Sequence, residues 1–415
     1  MRSDVIIVGA GASGLTAAIF AARSGASVRI LEHKESAGKK LLLTGNGKCN
    51  LSNQVMDPSL YRGAEPGFVT SVLETYGKEQ TISFFREIGV LIRERNGYLY
   101  PQNEEASGVL RALLLECERC GVSIDYEIGI KKILPQTDGF CLETKQGAFF
   151  SRSCVLATGG CSRKETGSDG SGFLYLAALS HTTQDIVPSL IQLKAKASFL
   201  KATAGIRADT SLTLYIDETP AATEAGELQM TEDGVSGIAV FQLSRYAAVA
   251  LKEGKNVSLV VDFLPASGDA DAVAAMYQKL FDGNPADLSL LLAGSVHRKL
   301  IPVVLEQCAV PDKPGAQVTK EEMARLANCL KAFAFPIIGT RKLNDAQVTA
   351  GGVDTREVDR ETLGSKKTPG LYFCGEMLDV DGPCGGYNLQ WAWSSGMCAG
   401  KHAGEYSLSA KELHS

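Results

Sequence analysis

The chain has 415 residues, 45 % hydrophobic and 21 % charged, with 42 Lys and Arg against 47 Asp and Glu for a net charge of −5. That length suits two or three domains of ordinary globular composition, and the charge balance offers no broad basic field of the kind that binds nucleic acid. The eleven cysteines, an odd count in a long chain, read as free thiols in a reducing compartment, so a cytoplasmic protein is expected.

Val5 to Ala22, "VIIVGAGASGLTAAIFAA", is uncharged over eighteen residues, the length at which a membrane span or a signal segment must be weighed. Asp4 beside the run, and Gly9, Gly11 and Gly14 inside it, favour a different reading. Val5 to Val8 is an apolar strand of the sort buried on both faces of a parallel sheet. The glycines form G-x-G-x-x-G, in which Gly9 makes a tight turn, Gly11 lets the backbone reach a pyrophosphate and Gly14 lets the following helix pack closely. Leu15 to Arg23 is predicted helical, with its N-terminus facing the phosphates. Val28 to Leu31 is the second strand. Glu32 ends it, eighteen residues after Gly14, where a carboxylate accepts hydrogen bonds from ribose hydroxyls and repels a 2′-phosphate. The ligand is therefore FAD or NAD.

Three later segments bear on that choice. "GKKLLLTGNGKCNLSN", from Gly38 to Asn53, carries Lys39 and Lys40 to neutralise phosphate and a second close-approach loop at Gly45 and Gly47, with Lys48, Cys49 and Asn50 on it. "CVLATGG", from Cys154 to Gly160, reads as a buried strand ending in Ala157, Thr158 and Gly159, small residues over which a nucleotide can lie. "GLYFCGEMLDVDGPCGGYNLQWAWSSG", from Gly370 to Gly396, reads as a strand to Cys374, then Gly375, Glu376 and Asp379. A glycine cluster ending at Gly386 precedes a helix starting near Asn388. An acid past the strand end suits ribityl hydroxyls, and the helix N-terminus suits a flavin pyrimidine edge that gains negative charge on reduction. NAD has no ribityl chain, so FAD is expected. Tyr387, Trp391 and Trp393 also read as core, for the two tryptophans more readily than as flavin contacts.

With "TGSDGSGFLYLAALSH" and "GELQMTEDGVSGIAVFQLSR", these strings resemble a bacterial family of FAD-dependent flavoproteins that includes aminoacetone oxidase and a bile-acid 3-dehydro-Δ4,6-reductase. The resemblance spans nearly the whole chain. It implies an α/β, Rossmann-like FAD domain interrupted by a β-barrel-like part and a small helical part. It implies FAD contacts at Ala12, Ser13, Glu32, Lys39, Lys40, Cys49, Asn50, Gly375, Asp379, Asn388 and Leu389. Gly9, Gly11, Gly14, Ile130, Ala157, Thr158, Gly159 and Gly386 join the cofactor-binding set. Lys48 stands where the family more often has Arg, and "MTEDGVSG" departs from a His-Thr-Gly-rich pattern, which leaves the substrate side open.

Along the chain, residues 1–190 and 337–415 are assigned to the FAD domain and 191–336 to the insert, mainly antiparallel β over 191–265 and helical over 266–336. "LSLLLAGSVHRKLIPVVLEQ" reads as helical, and Thr319 with Glu322 as a capping box. The tail "SLSAKELHS" reads as polar and loosely held. Cys49 has no partner thiol on its loop, which disfavours a dithiol reductase. Cys117 and Cys120 form C-x-x-C at the end of an amphipathic helix and read as structural. The five histidines, His33, His181, His297, His402 and His414, have no metal-ligand spacing, and no metal is expected. No second G-x-G-x-x-G follows a mid-chain strand, so a reducing NAD(P)H would dock transiently. What remains is a reductase passing hydride from NAD(P)H through the flavin N5 to an enone or ketone, steroid- or bile-acid-like in one reading. The alternatives are an amine or alcohol oxidase using oxygen, and a flavin redox sensor without turnover. Cys49, Tyr387 and Cys384 are proton-donor candidates by position, each more readily read as structural. Substrate, nucleotide preference and oligomeric state are not legible.

Overall fold

A computed structural model describes residues 1–412 and divides them into two compact units, residues 1–187 with the chain from 343 onward, and residues 188–342. The first unit is built on a seven-stranded sheet. Its parallel part runs Ser123–Asp125, Val28–Leu31, Arg2–Val8, Ala148–Leu156 and Leu371–Phe373. Ala148–Leu156 pairs with the antiparallel hairpin Ile130–Gln136/Gly139–Thr144 along its first half and with Leu371–Phe373 along its second. Val5, Ile6 and Ile7 are wholly buried, as a two-sided apolar strand requires. The uncharged run Val5 to Ala22 is thus half strand and half helix, and no helix among the described residues is long and apolar enough to cross a membrane.

Two helices lie together beside this sheet, Ala12–Arg23 and Tyr387–Glu412. Gly396, Gly400 and Gly404 recur every four residues and face Ser13, Ala17 and Ala21, which repeat in the same way. A Cβ at Gly396 would lie 2.7 Å from the Ser13 carbonyl oxygen and one at Gly404 2.9 Å from that of Ala21, while at Gly400 it would overlap the Ala17 carbonyl. The glycines let the helix axes approach along one i, i+4 ridge. The tail expected to be loose is helical through Glu412, because this packing carries the helix on past Gly404. Residues 413–415, His414 among them, lie outside the described part.

The second unit is a closed antiparallel barrel of six strands, in the order Leu193–Ala195, Gly234–Ser236, Thr219–Thr231, Arg207–Ile216, Val257–Asp262 and Phe333–Thr340. Closure removes exposed edges. Phe333–Thr340 alternates buried and exposed residues over most of its length and lies across the point where the sequence suggested a return to the FAD domain. Its inward residues join Leu212, Leu214, Leu259 and Val261 in one core with the helices Ile238–Lys252, Ala270–Phe281 and Lys320–Lys331. The capping box at Thr319 and Glu322 is formed in full. The helix suggested for 288–307 is broken into Leu288–Leu291, a short turn over Leu292–Gly294, and Ile301–Gln307, which begins with Pro302 in its first turn, the position proline tolerates.

Candidate functional site: a dinucleotide cleft

The Rossmann turn sets one wall of a cleft in the first unit. Gly9 has φ +103°, and a Cβ there would lie 2.6 Å from the Ala157 carbonyl oxygen. A Cβ at Gly14 would overlap the Gly9 carbonyl. Gly11 differs, since a Cβ there would meet nothing and Gly11 itself lines the cleft. The first N–H groups of Ala12–Arg23 receive no side-chain cap, so they are available to an anion. Two of the three glycines thus serve the fold, and the middle one leaves room for a ligand.

Glu32 is 7 % exposed. Its Oε2 accepts from the Ala10 N–H at 2.7 Å and its Oε1 from the Lys34 N–H at 2.8 Å. Burial alone would favour the neutral acid. Hydrogen bonds from His33, Ala10 and Lys34 and the His33 charge outweigh it and hold the carboxyl below its usual range. The result is a fixed carboxylate with lone pairs left for ribose hydroxyls. His33, next in the chain, also lines the cleft. Its Nδ1 lies 3.2 Å from Glu32 and its Nε2 3.6 Å from Asp169. The hydrogen bond with Glu32 outweighs burial, so the imidazole pKa is raised.

Ala12, Ser13, Lys39 and Lys40 line the same cleft, as do Ile130, Ala157, Thr158 and Gly159, and from the far end of the chain Asn388 and Leu389. Both lysines, expected to neutralise phosphate, already have carboxylate partners within the chain. Lys39 pairs with Glu35 at 2.5 Å, and Lys40 pairs with Glu376 at 2.6 Å and donates to Ser162 Oγ at 2.7 Å. Glu376 also accepts from the Thr349 N–H at 2.7 Å. Of the two acids past the last strand, Glu376 lines the cleft, whereas Asp379 is buried and does not, although the adjoining Val380 does. Thr166 to Asp169, from "TGSDGSG", and Tyr175 complete the wall near His33.

Other expected contacts sit behind the wall. Cys49 is wholly buried at φ +58°, and desolvation pushes its thiol up to about 12. Asn50, in the amide orientation that satisfies both its ends, donates to the Leu99 and Ser52 carbonyls and accepts from the Gly386 N–H. Gly375 packs against Ser13, and Gly386 against the Ser52 backbone. Tyr387 is buried and donates to the Val55 carbonyl at 2.6 Å. Cys384 is half-buried and off the wall. None of the three proton-donor candidates therefore lines the cleft. Trp393 is core, donating to the Leu51 carbonyl, while Trp391 is buried, donates to the Gly375 carbonyl and also lines the cleft. No disulfide joins any of the described cysteines, and no cluster among the described residues could hold a metal.

The open space at Gly11, the anchored Glu32 carboxylate and two uncapped or glycine-led helix starts on one cleft fit an extended dinucleotide with a ring at its second end. Comparison with known proteins agrees. A profile described as HI0933-like protein Rossmann domain matches residues 3–402. The chain is 41 % identical to a 3-dehydro-bile acid delta(4,6)-reductase of Clostridium scindens, covering 96 % of this chain and 98 % of that one. It is 31 % identical to a ribosomal RNA dihydrouridine synthase of Haemophilus influenzae, covering 95 % and 96 %. Among solved structures, a 3-ketosteroid-delta4-(5alpha)-dehydrogenase of Rhodococcus jostii shares the fold at 15 % identity and a TM-score of 0.52, with 97 % of each chain covered.

Proposed function

The chain belongs to the HI0933-like family of Rossmann flavoproteins and is an FAD-dependent oxidoreductase, and from that premise we propose that it reduces a carbon–carbon double bond conjugated to a carbonyl in a small, steroid-like acceptor, with NADH or NADPH as reductant. The observation that carries this reading is the 41 % identity, over nearly the whole of both chains, to a reductase that acts on a 3-dehydro Δ4,6 bile acid. Bound FAD supplies the two-electron carrier. The chain's own residues hold it. Glu32 would accept from the adenosine ribose, the Gly9–Gly14 turn and the helix start at Ala12 would meet the pyrophosphate, and the partial positive charge of the helix start near Asn388 would favour negative charge on the ring. Lys40, fixed by Glu376 and Ser162, would keep an ammonium on the cleft wall, where it could attract negative charge on the cofactor. Cys49, Tyr387 and Cys384 are left out of the proton-transfer path, because each lies off the wall.

A second reading has its own support. The Haemophilus relative is named for making dihydrouridine in ribosomal RNA, and the bond saturated in uridine is likewise conjugated to a carbonyl. The two readings share the chemistry and differ in what carries the alkene. The net charge of −5 and the higher identity to the bile-acid reductase favour the small acceptor.

The test is anaerobic stopped-flow absorbance with NADH and, separately, NADPH. Rapid bleaching of the flavin band by either is expected. No bleaching by either nucleotide, with bleaching by an amine or alcohol, would replace the reductase by an oxidase. No bleaching by any donor would favour the sensor.

A further inference from the structure

The hairpin Ile92–Arg95/Tyr98–Pro101 adds a surface that the cofactor does not explain. Its register sets Arg93 opposite Tyr100 and Arg95 opposite Tyr98, so two Arg–Tyr pairs share one face. Lys48 joins that face from the preceding loop. All three cations turn to the carboxylate of Glu104, at 3.0 Å from Lys48, 3.4 Å from Arg93 and 3.6 Å from Arg95. Three positive charges share one negative charge, in a chain whose overall balance is acidic. The arginines stay 40 % and 56 % exposed. Glu94, between them in sequence, points away and caps its own turn by accepting from the Gly97 N–H.

The position of this face gives it meaning. Tyr98 lies against Gly385, where a Cβ would come within 2.6 Å of its ring, and Asn53, paired with Tyr98 on the third strand of this small sheet, donates to the Gly385 carbonyl at 2.8 Å. Gly385 belongs to the glycine cluster that leads into the ring-facing helix start. Lys48 follows Thr44, which lines the cleft, by four residues. The cationic, tyrosine-bearing face is therefore tied, through Gly385 and the Thr44–Lys48 loop, to two segments that lead into the cleft. Guanidinium forks beside aromatic rings suit a flat organic body that ends in an anion.

We propose that Arg93, Arg95 and Lys48 form a subsite for an anionic group of the acceptor, a carboxylate or a phosphate, held beside the flavin end of the cleft. The inference rests on the functional reading for its orientation but not for its test. Binding of a steroid carboxylate, of its neutral methyl ester and of a short uridine-containing RNA to the FAD-loaded protein is measured by calorimetry, for wild type and for the R93Q/R95Q variant. FAD content and circular dichroism check that the variant is folded. The carboxylate is expected to bind about tenfold more tightly than the ester, a preference that R93Q/R95Q abolishes, as two partly exposed charge contacts would give. Tight RNA binding that the variant loses would assign the subsite to phosphate. Equal binding of acid and ester together with RNA binding that the variant leaves intact would overturn the proposal. Turnover of the neutral ester decides the functional reading separately: an unreduced ester counts against an enone reductase whatever the binding data say about the arginines.

Discussion

At Glu32 two opposing forces meet, burial that disfavours the charge and N–H donors that require it. Glu32→Ala removes the ribose acceptor and strands the Ala10 and Lys34 N–H groups that now donate to it. FAD affinity is expected to fall by about 1.5–3 kcal/mol, roughly ten- to a hundredfold, read by titrating apoprotein with FAD; an unchanged Kd would remove Glu32 from the ribose. His33 gives the site a pH dependence of definite sign. Its pKa is raised by Glu32 and also by Asp169, against burial and the neighbouring Lys34 charge. The contribution of the charged imidazole is thus complete below its ordinary value of about 6.5 and is lost as pH climbs through the raised one. Glu32, with its pKa depressed, behaves oppositely and loses its contribution only as pH falls below the usual carboxylate range. Resistance to urea unfolding should therefore decline on the alkaline side of His33 in wild type and be flat there in His33→Asn. A parallel decline in both proteins would contradict the assignment. The contact between His33 and Asp169 joins residues far apart in sequence, and nothing local in "EHK" or "TGSDGSG" announces it.

At the scale of elements, the two helices that start on the cleft are locked to each other by Gly396, Gly400 and Gly404. Gly400→Ala places a Cβ on the Ala17 carbonyl, and the resulting overpacking should cost about 1–3 kcal/mol. Gly294→Ala, whose Cβ meets nothing, serves as the near-neutral control. Thermal unfolding of both variants checks this, and equal midpoints would show that the helices can separate freely. In the second unit, Thr319→Ala breaks the capping box and should cost about 1 kcal/mol, measured by urea unfolding. The capping box was legible because it is local. The glycine ladder was equally visible as a four-residue repeat, but its partner helix is almost four hundred residues earlier, and a repeat alone does not say what it faces. The break in 288–307 has signals in Gly294 and Pro302 that apolar periodicity overrode.

For the whole molecule, the Rossmann start was legible because a strand buried on both faces leaves a continuous apolar run and because Gly9 and Gly14 satisfy backbone demands no other residue meets. The barrel was legible as short strands, though Phe333–Thr340 closes it from beyond a helical stretch, an order that only long-range pairing fixes. Lys40 and Glu376, 336 residues apart, were each marked as polar groups near the cofactor, but their pairing was not. Cys49 shows the limit of a loop motif: the sequence placed it by its loop and read its thiol as more readily structural, and its full burial at φ +58° fits that reading of the thiol. What the acceptor is cannot be read from residues that hold FAD, since these serve any acceptor. The most direct measurement is reoxidation. The purified yellow protein is reduced anaerobically, freed of excess reductant and mixed with a 3-keto-4-ene steroid or with the same steroid lacking the ring double bond. The account predicts that the oxidised flavin band returns with the enone, in step with formation of the saturated ketone, and not with the control. A flavin that stays reduced with the enone, yet reoxidises at once on admitting oxygen, would contradict it.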